Sequence, residues 1–288
     1  MKPIYRSAAG QRAVETNYRD ILDRWPVPAL QRTVDTAQGE TFVLSCGPED
    51  APPTVLLHGA GTNSAMWMDD AVAWSQSRRL HLVDVIGEPG LSAPSRPALR
   101  SDAYARWLCD VLDSLAITRA AFVGASLGGW LAVNLASHHP ARVERLALQA
   151  PGGIGRQKYG AVIASLLLMP FGDRGRRSAL RIALGPQPVT GPFAEYMLLI
   201  QKHYRPRRDA LPRFTDAQLR ALTMPMLIVA GANDRMLDSR DTVRRIVRAR
   251  PEAAVELIPD CGHAPRSDDA IRAFLGVTAT PTGAESSP

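Results

Sequence analysis

The sequence of 288 residues predicts an α/β fold, with a mostly parallel, eight-stranded sheet and helices on both of its faces. The first observation is a series of short, continuously apolar runs, which are typical of strands buried on both sides in a parallel sheet. The second is the alternation of these runs with helical patterns, as in a doubly wound sheet. The third is a glycine-flanked turn between one apolar run and the next helical pattern, which predicts a functional site at a strand end.

The first predicted elements are a helix and an antiparallel hairpin. Residues 5–24 are amphipathic enough for a helix that packs across the domain. Residues 30–36 and 40–46 are joined by a short Ala-Gln-Gly turn and form the hairpin. Six buried strands are predicted further along the chain, at residues 55–57, 80–85, 120–123, 143–149, 226–230 and 254–258. Helices are predicted at residues 65–77, 102–115, 127–138 and 239–249.

The alternation of strands and helices stops between residues 152 and 223. This stretch contains helical patterns near residues 159–168, 174–183 and 193–202, separated by proline and glycine. We interpret it as a helical cap inserted over the C-terminal edge of the sheet, where it would exclude water and shape a pocket. The predicted organisation is an N-terminal helical segment, a core in two parts, the cap insertion and a disordered tail, at residues 1–29, 30–151 with 224–276, 152–223 and 277–288.

The glycine-flanked turn has the sequence Gly-Ala-Ser-Leu-Gly at residues 124–128, with Ser126 at its apex. A serine at such a strand-to-helix turn lies in strained backbone space, and a side chain two residues away on either side would collide with the strand or the helix. The two glycines provide that clearance. Ser126 is therefore the predicted nucleophile.

A serine hydroxyl needs a base to accept its proton and an acid to orient that base. Asp234 follows the apolar run at 226–230, and His263 lies in the loop after the run at 254–258. The chain order serine, aspartate, histidine is the order expected for this type of turn. We predict His263 as the base and Asp234 as the acid, with Asp238 and Asp260 as alternatives for the acid.

Two backbone N–H groups are expected to bind the negative oxygen that develops during acyl transfer. Leu127 follows the nucleophile and begins a helix, so its N–H has no partner within the helix. The second donor is expected from the His-Gly-Ala-Gly loop at residues 58–61, after an earlier strand. We predict Ala60 as that donor, with Gly59 and Gly61 as alternatives.

With these motifs in order, the chain resembles the α/β-hydrolase family across roughly residues 31–275. Within the family it is most similar to single-domain bacterial carboxylesterases and to C–C bond or lactone hydrolases. The stretch at residues 83–92 is similar to the family's aspartate-led loop at a strand end. It departs from the common pattern at Glu88 and Pro89, where small residues are usual.

The resemblance implies a serine hydrolase that cleaves a carboxylic ester, lactone or thioester through an acyl-enzyme on Ser126. The same three side chains also support two alternatives among enzymes, C–C bond hydrolysis and cofactor-free perhydrolysis. An alternative of another class is a ligand-binding receptor that keeps the fold and lacks turnover. The fold alone does not name the substrate, and the oligomeric state is open.

Composition excludes several other classes of function. The net charge of +6 is not organised into any nucleic-acid motif, and no two His, Cys or carboxylate residues have metal-ligand spacing. No nucleotide-binding motif occurs, so we expect neither a cofactor nor a metal. The first thirty residues contain no apolar signal-peptide core, the longest apolar runs are of strand length, and the number of cysteines is odd. We therefore expect a cytoplasmic protein without a membrane or nucleic-acid partner.

The predicted cap carries an excess of positive charge. Between residues 152 and 215 the chain has eleven Lys or Arg residues against three Asp or Glu residues. A solvated helical face explains such a cluster. The alternative is that part of the cluster faces the pocket mouth and attracts anionic substrates.

Overall fold

The computed structural model describes residues 3–185 and 190–277, and within these ranges it contains eight strands and ten α-helices. The strands are β1 Ala29–Val34, β2 Thr41–Cys46, β3 Pro53–Leu57, β4 Arg79–Val83, β5 Ala120–Ala125, β6 Val143–Gln149, β7 Met226–Gly231 and β8 Ala254–Ile258. The helices are α1 Ala8–Leu22, α2 Met68–Trp74, α3 Ala103–Ser114, α4 Leu127–His138, α5 Gly160–Leu168, α6 Gly172–Leu184, α7 Pro192–His203, α8 Asp216–Arg220, α9 Ser239–Ala249 and α10 Asp268–Leu275.

All eight strands form one sheet, in the order β1-β2-β4-β3-β5-β6-β7-β8. The hairpin strands β1 and β2 are antiparallel to each other, and β2 is antiparallel to β4. The remaining pairs, from β4 through β3 to β8, are parallel. The predicted fold, a mostly parallel eight-stranded sheet, is therefore confirmed. Because β3, β5, β7 and β8 run in one direction, the loops that follow them meet at one edge of the sheet.

Helices cover both faces of this sheet. On one face the core contains Trp107 of α3, Trp130 of α4 and Ile246 of α9. On the other face it contains Tyr18 of α1, together with side chains of α2, α7 and α10. The aromatic rings named here are nearly or fully buried, and each removes a large apolar surface from water. The two layers hold the sheet, and hence the strand-end loops, in fixed positions.

Two expectations about individual elements were wrong. The prediction that β8 is buried on both faces fails, because β8 is the last strand of the sheet and its residues are half-buried or exposed. The helix predicted at residues 65–77 is a 3₁₀ turn at Ser64–Trp67 followed by the shorter α2. The short helices α8 and α10 were not predicted, since five and eight residues give little periodicity to detect.

The described part of residues 152–223 contains the helices α5, α6, α7 and α8 and no strand. The first three lie close to the helical patterns expected there. The tail predicted as disordered lies outside the described residues from position 278 onward. Among the described helices, none combines the length and apolar character that crossing a bilayer requires.

Candidate active site

Ser126 lies in the turn between β5 and α4, with φ 50° and ψ −104°. Positive φ is unusual for a residue with a side chain and is retained only where the surroundings enforce it. A Cβ atom at Gly124 would lie 2.6 Å from the backbone of Gly128, and one at Gly128 would collide with the carbonyl of Leu57. The close approach of strand, turn and helix therefore explains both glycines.

The structure brings Ser126, His263 and Asp234 together at this edge of the sheet. His263 Nε2 lies 2.9 Å from Ser126 Oγ, and His263 Nδ1 lies 2.7 Å from Asp234 Oδ2. Since Asp234 can only accept when ionised, Nδ1 carries the proton and Nε2 is left as an acceptor for the serine hydroxyl. The three side chains thus form a continuous hydrogen-bonded chain across the loops after β5, β7 and β8.

The Asp234 carboxylate is fully buried and has a hydrogen-bond donor on each oxygen. Its Oδ1 accepts the backbone N–H groups of Met236, at 2.7 Å, and Leu237, at 2.9 Å, while Oδ2 accepts His263. These donors replace the water that a buried carboxylate loses. They also fix the direction in which Oδ2 points, and through it the plane of the imidazole.

The two alternative acids have other surroundings. Asp238 caps α9, where its Oδ1 accepts the N–H of Asp241 at 3.0 Å. Asp260 is exposed to solvent. The structure therefore joins His263 to Asp234 and to neither of the alternatives.

The loop after β3 is fastened by His58, which is fully buried. The N–H of Val85 donates to His58 Nε2 at 2.8 Å, so Nδ1 carries the proton and donates to the Gly59 carbonyl, also at 2.8 Å. Burial lowers the pKa of His58. A neutral histidine thus ties this loop to the end of β4.

The backbone donors in the same loop differ in what they bind. The Gly59 N–H points at Met66 Sδ, 3.4 Å away, and the Gly61 N–H donates to Glu88 Oε2 at 2.7 Å. The N–H of Ala60, between them, has no acceptor among the described residues, and neither has that of Leu127 at the start of α4. Both predicted oxyanion donors are therefore free to bind an acceptor that enters from outside.

Two further side chains at the site were not assigned a role from the sequence. Glu88 contacts the loop of Ala60, and Lys158 Nζ donates to the backbone carbonyl of Asp234 at 2.8 Å. The departure from the family pattern at Glu88 was a visible signal. Nothing in the local sequence distinguished Lys158 from the other cations of the insertion, since its contact joins segments far apart in the chain.

A cavity of about 590 Å³ lies beside Asp234. Three cationic side chains, those of Lys158, Arg181 and Arg235, contribute to its wall. Asp234 is the only anionic residue of that wall among the described residues, and its carboxylate is already occupied by three donors. The cavity is therefore positive in character. Its other lining residues are Ile182, Gly185, Ala232 and Asn233.

The chain is similar to known proteins of one family. Residues 54–277 match the model of the family described as "Alpha/beta hydrolase family". The uncharacterized carboxylesterase nap of Bacillus subtilis (strain 168) is 31% identical over 254 residues, which make up 85% of this chain and 84% of that protein. Carboxylesterase YbfK of the same strain is 30% identical over 260 residues, covering 85% of this chain and 86% of YbfK.

Solved structures give the same result. The crystal structure of carboxylesterase CesB (YbfK) from Bacillus subtilis superposes with a TM-score of 0.82 at 27% identity, covering 94% of this chain and 98% of the other. The crystal structure of naproxen esterase from Bacillus subtilis has a TM-score of 0.79 at 29% identity, covering 91% of this chain and 94% of the esterase.

Proposed function

The chain belongs to the alpha/beta hydrolase family, and we propose that it hydrolyses carboxylic esters through an acyl-enzyme on Ser126. The observation that carries this proposal is the hydrogen-bonded chain from Ser126 Oγ through His263 to Asp234. Its similarity to carboxylesterases, at 30 to 31% identity, supports an ester as the substrate class. Lactones and thioesters contain the same type of acyl carbon and belong to the proposed range.

In the first step Ser126 Oγ attacks the carbonyl carbon of the ester while His263 Nε2 accepts the hydroxyl proton. The carbonyl π electrons move to the oxygen and give a tetrahedral oxyanion. When this intermediate collapses, the bond to the alcohol oxygen breaks, and His263 returns the proton to the departing alcohol. Asp234 stabilises the imidazolium that exists between the two transfers.

The second step repeats this chemistry with water. His263 accepts a proton from the water as its oxygen attacks the acyl carbon bound to Ser126. The bond to Oγ then breaks, the proton returns to the serine, and the carboxylic acid leaves. In both steps we assign the Ala60 and Leu127 N–H groups to the oxyanion, because both lack an acceptor among the described residues.

We also propose that the helices within residues 152–223 act as a cap that contributes to substrate selection. Arg181 of α6 and Lys158, which precedes α5, line the cavity beside Asp234 together with Arg235. Three cations around one cavity raise the local concentration of anions. Esters that carry a carboxylate are therefore the proposed preference over neutral esters of the same shape.

The experiment that tests the proposed function is a substrate screen with a matched inactive variant. p-Nitrophenyl esters from acetate to decanoate, with lactones and thioesters, are assayed with the wild type and with Ser126→Ala. We expect ester turnover by the wild type and a loss of about 10³-fold or more in the variant. A folded wild type that neither turns over any of these substrates nor reacts with a fluorophosphonate probe would favour the ligand-binding receptor.

A further inference from the structure

Glu88 is a buried carboxylate that contacts the loop of the proposed oxyanion donor. Glu88 lies in the loop after β4 and is 3% exposed. Its Oε2 accepts two hydrogen bonds, from the Gly61 N–H at 2.7 Å and from the Tyr204 hydroxyl at 2.8 Å. A carboxylate is costly to bury, so its place beneath this loop calls for a specific role.

Arg96 holds the partner of Glu88 in place. Its Nη2 donates to Tyr204 Oη at 2.7 Å and to the Arg205 carbonyl at 2.8 Å, and its Nε donates to the Gly87 carbonyl at 3.0 Å. The guanidinium also lies 5.4 Å from the centre of the Tyr204 ring. Because Tyr204 Oη accepts from Arg96, its own proton is free to be donated, and of its two acceptors Glu88 Oε2 at 2.8 Å is nearer than the Gly87 carbonyl at 3.2 Å. The tyrosine therefore fixes the orientation of the carboxylate.

The loop that Glu88 contacts has little steric restraint of its own. Ala60 lies between two glycines, and Gly61 has φ +71°, in the left-handed region that glycine enters without strain. A Cβ at Gly61 would meet no heavy atom within 4 Å, so neighbouring atoms do not confine this residue. Hydrogen bonds must then set the backbone: upstream of Ala60 the Gly59 carbonyl accepts from His58 Nδ1 at 2.8 Å, and downstream the Gly61 N–H donates to Glu88 Oε2 at 2.7 Å.

We propose that Glu88 is a positioning residue that orients the Ala60 N–H toward the oxyanion, with Tyr204 and Arg96 holding its carboxylate in place. This inference rests on the proposed function. The Ala60 N–H lies in the peptide unit that precedes Ala60, where His58 holds the Gly59 carbonyl. By accepting the Gly61 N–H, Glu88 fixes the peptide unit that follows Ala60, so that both units next to Ala60 are held and the Ala60 N–H keeps its direction. Glu88 acts as an acceptor at a fixed position, and its negative charge is not required, since a negative charge near the oxyanion opposes catalysis.

The test compares two substitutions at Glu88. Glu88→Ala removes the acceptor, whereas Glu88→Gln keeps an oxygen that can accept from Gly61 and Tyr204 without the charge. With a p-nitrophenyl ester we expect kcat of Glu88→Ala to fall by about 10- to 100-fold with KM changed by less than about 3-fold, because the lost interaction acts in the transition state. Glu88→Gln should retain kcat within about 5-fold of the wild type.

A boronic acid that binds Ser126 as a tetrahedral adduct gives an independent readout. Its inhibition constant should weaken in Glu88→Ala by about the same factor as kcat/KM, because the adduct uses the same N–H donors. A purely structural role would lower the thermal midpoint without this parallel change. Tyr204→Phe, which removes the hydroxyl on Glu88, should lower kcat by about 3- to 10-fold.

Tyr104→Phe is the matched control, since Tyr104 Oη accepts from Arg207 at 3.2 Å and has no hydrogen bond with Glu88 among the described residues. It should keep kcat within about 2-fold. Wild-type kcat in a folded Glu88→Ala would overturn the proposal, as would an equal loss in Glu88→Gln or a change confined to KM. If Glu88→Ala fails to fold, a wild-type value of kcat in Tyr204→Phe would overturn the proposal instead. Failure of the proposed function is distinguishable, because then either the wild type would show no turnover or Ser126→Ala would remain active.

Discussion

The ammonium of Lys158 donates a hydrogen bond of 2.8 Å to the backbone carbonyl of Asp234. Lys158 precedes α5, so this bond ties the start of the α5–α6 pair to the loop of the proposed acid. The other end of the pair is held as well, because Gly185, which follows α6, packs closely on Gly262. A Cβ atom at Gly185 would lie only 2.7 Å from the Cα of Gly262. Both ends of the helix pair therefore contact the loops that carry Asp234 and His263.

Loss of the Lys158 contact should weaken catalysis more than it weakens the fold. Lys158 is exposed, so water screens this hydrogen bond and its contribution to the free energy of unfolding is about 1 kcal/mol or less. We expect Lys158→Met to lower kcat/KM for a neutral ester by about 3- to 10-fold, with little change in the thermal midpoint. The control is Lys202→Met on α7, which also removes one positive charge, but at a position that does not contact Asp234. Equal effects of the two substitutions would contradict the link between α5 and the acid.

The choice of acid is tested by two isosteric substitutions. Asp234→Asn should lower kcat by about 10²-fold or more, because the imidazole loses the anion that orients it and stabilises its charged form. Asp238→Asn should keep kcat and stability close to the wild-type values, since Asp238 caps α9 and asparagine caps a helix as well as aspartate does. Steady-state kinetics and urea unfolding of both variants separate the two roles. An active Asp234→Asn together with an inactive Asp238→Asn would contradict the assignment.

The cations beside Asp234 should discriminate between charged and neutral substrates. We expect a carboxylate-bearing ester to have a higher kcat/KM than its neutral isostere at low ionic strength, and salt should reduce the difference because it screens charges beyond about 8 to 10 Å. Arg181→Gln should reduce the preference, whereas Arg174→Gln, which lies on the same helix and does not line the cavity, should not. Equal kcat/KM values for the two esters at low salt would leave the cluster as surface charge only.

Asp70 provides a test of stability against pH. Burial raises the pKa of Asp70 to about 6, with Asp268 and Asp69 adding to the effect and Arg266 opposing it. A raised pKa means that the folded state binds the proton more tightly, so this contribution to stability is full below about pH 4 and is lost as pH rises toward 6. Asp70→Asn should therefore raise the free energy of unfolding at pH 8 by about 1 to 3 kcal/mol, and by much less at pH 4. Urea unfolding of both proteins at the two pH values checks this, and a pH-independent difference would contradict it.

The sequence was sufficient for the features that local chemistry determines. All eight strands, the turn at Ser126 and the loops of Asp234 and His263 were predicted, because apolar runs end in polar or glycine-rich segments at each of these places. The glycines around Ser126 were informative for the same reason. Glycine is required at these positions because a Cβ atom would collide with backbone atoms a few residues away or with the neighbouring strand β3.

Contacts between segments that are distant in the chain could not be predicted from the sequence. The burial of Glu88 under the Ala60 loop depends on Tyr204, which lies 116 residues further along the chain. The bond from Lys158 to Asp234 spans 76 residues. The exposure of β8 likewise depends on its place at the edge of the sheet, which strand order determines and the run of apolar residues does not.

The acyl-enzyme on Ser126 is the central claim, and its direct measurement is mass spectrometry of the enzyme after reaction with a slowly released acyl group. A p-nitrophenyl carbamate should release one equivalent of p-nitrophenol per enzyme and leave its carbamoyl group on the peptide that contains Ser126. Ser126→Ala should release none. Stoichiometric release with the carbamoyl group on another residue, or the same release from Ser126→Ala, would contradict the account.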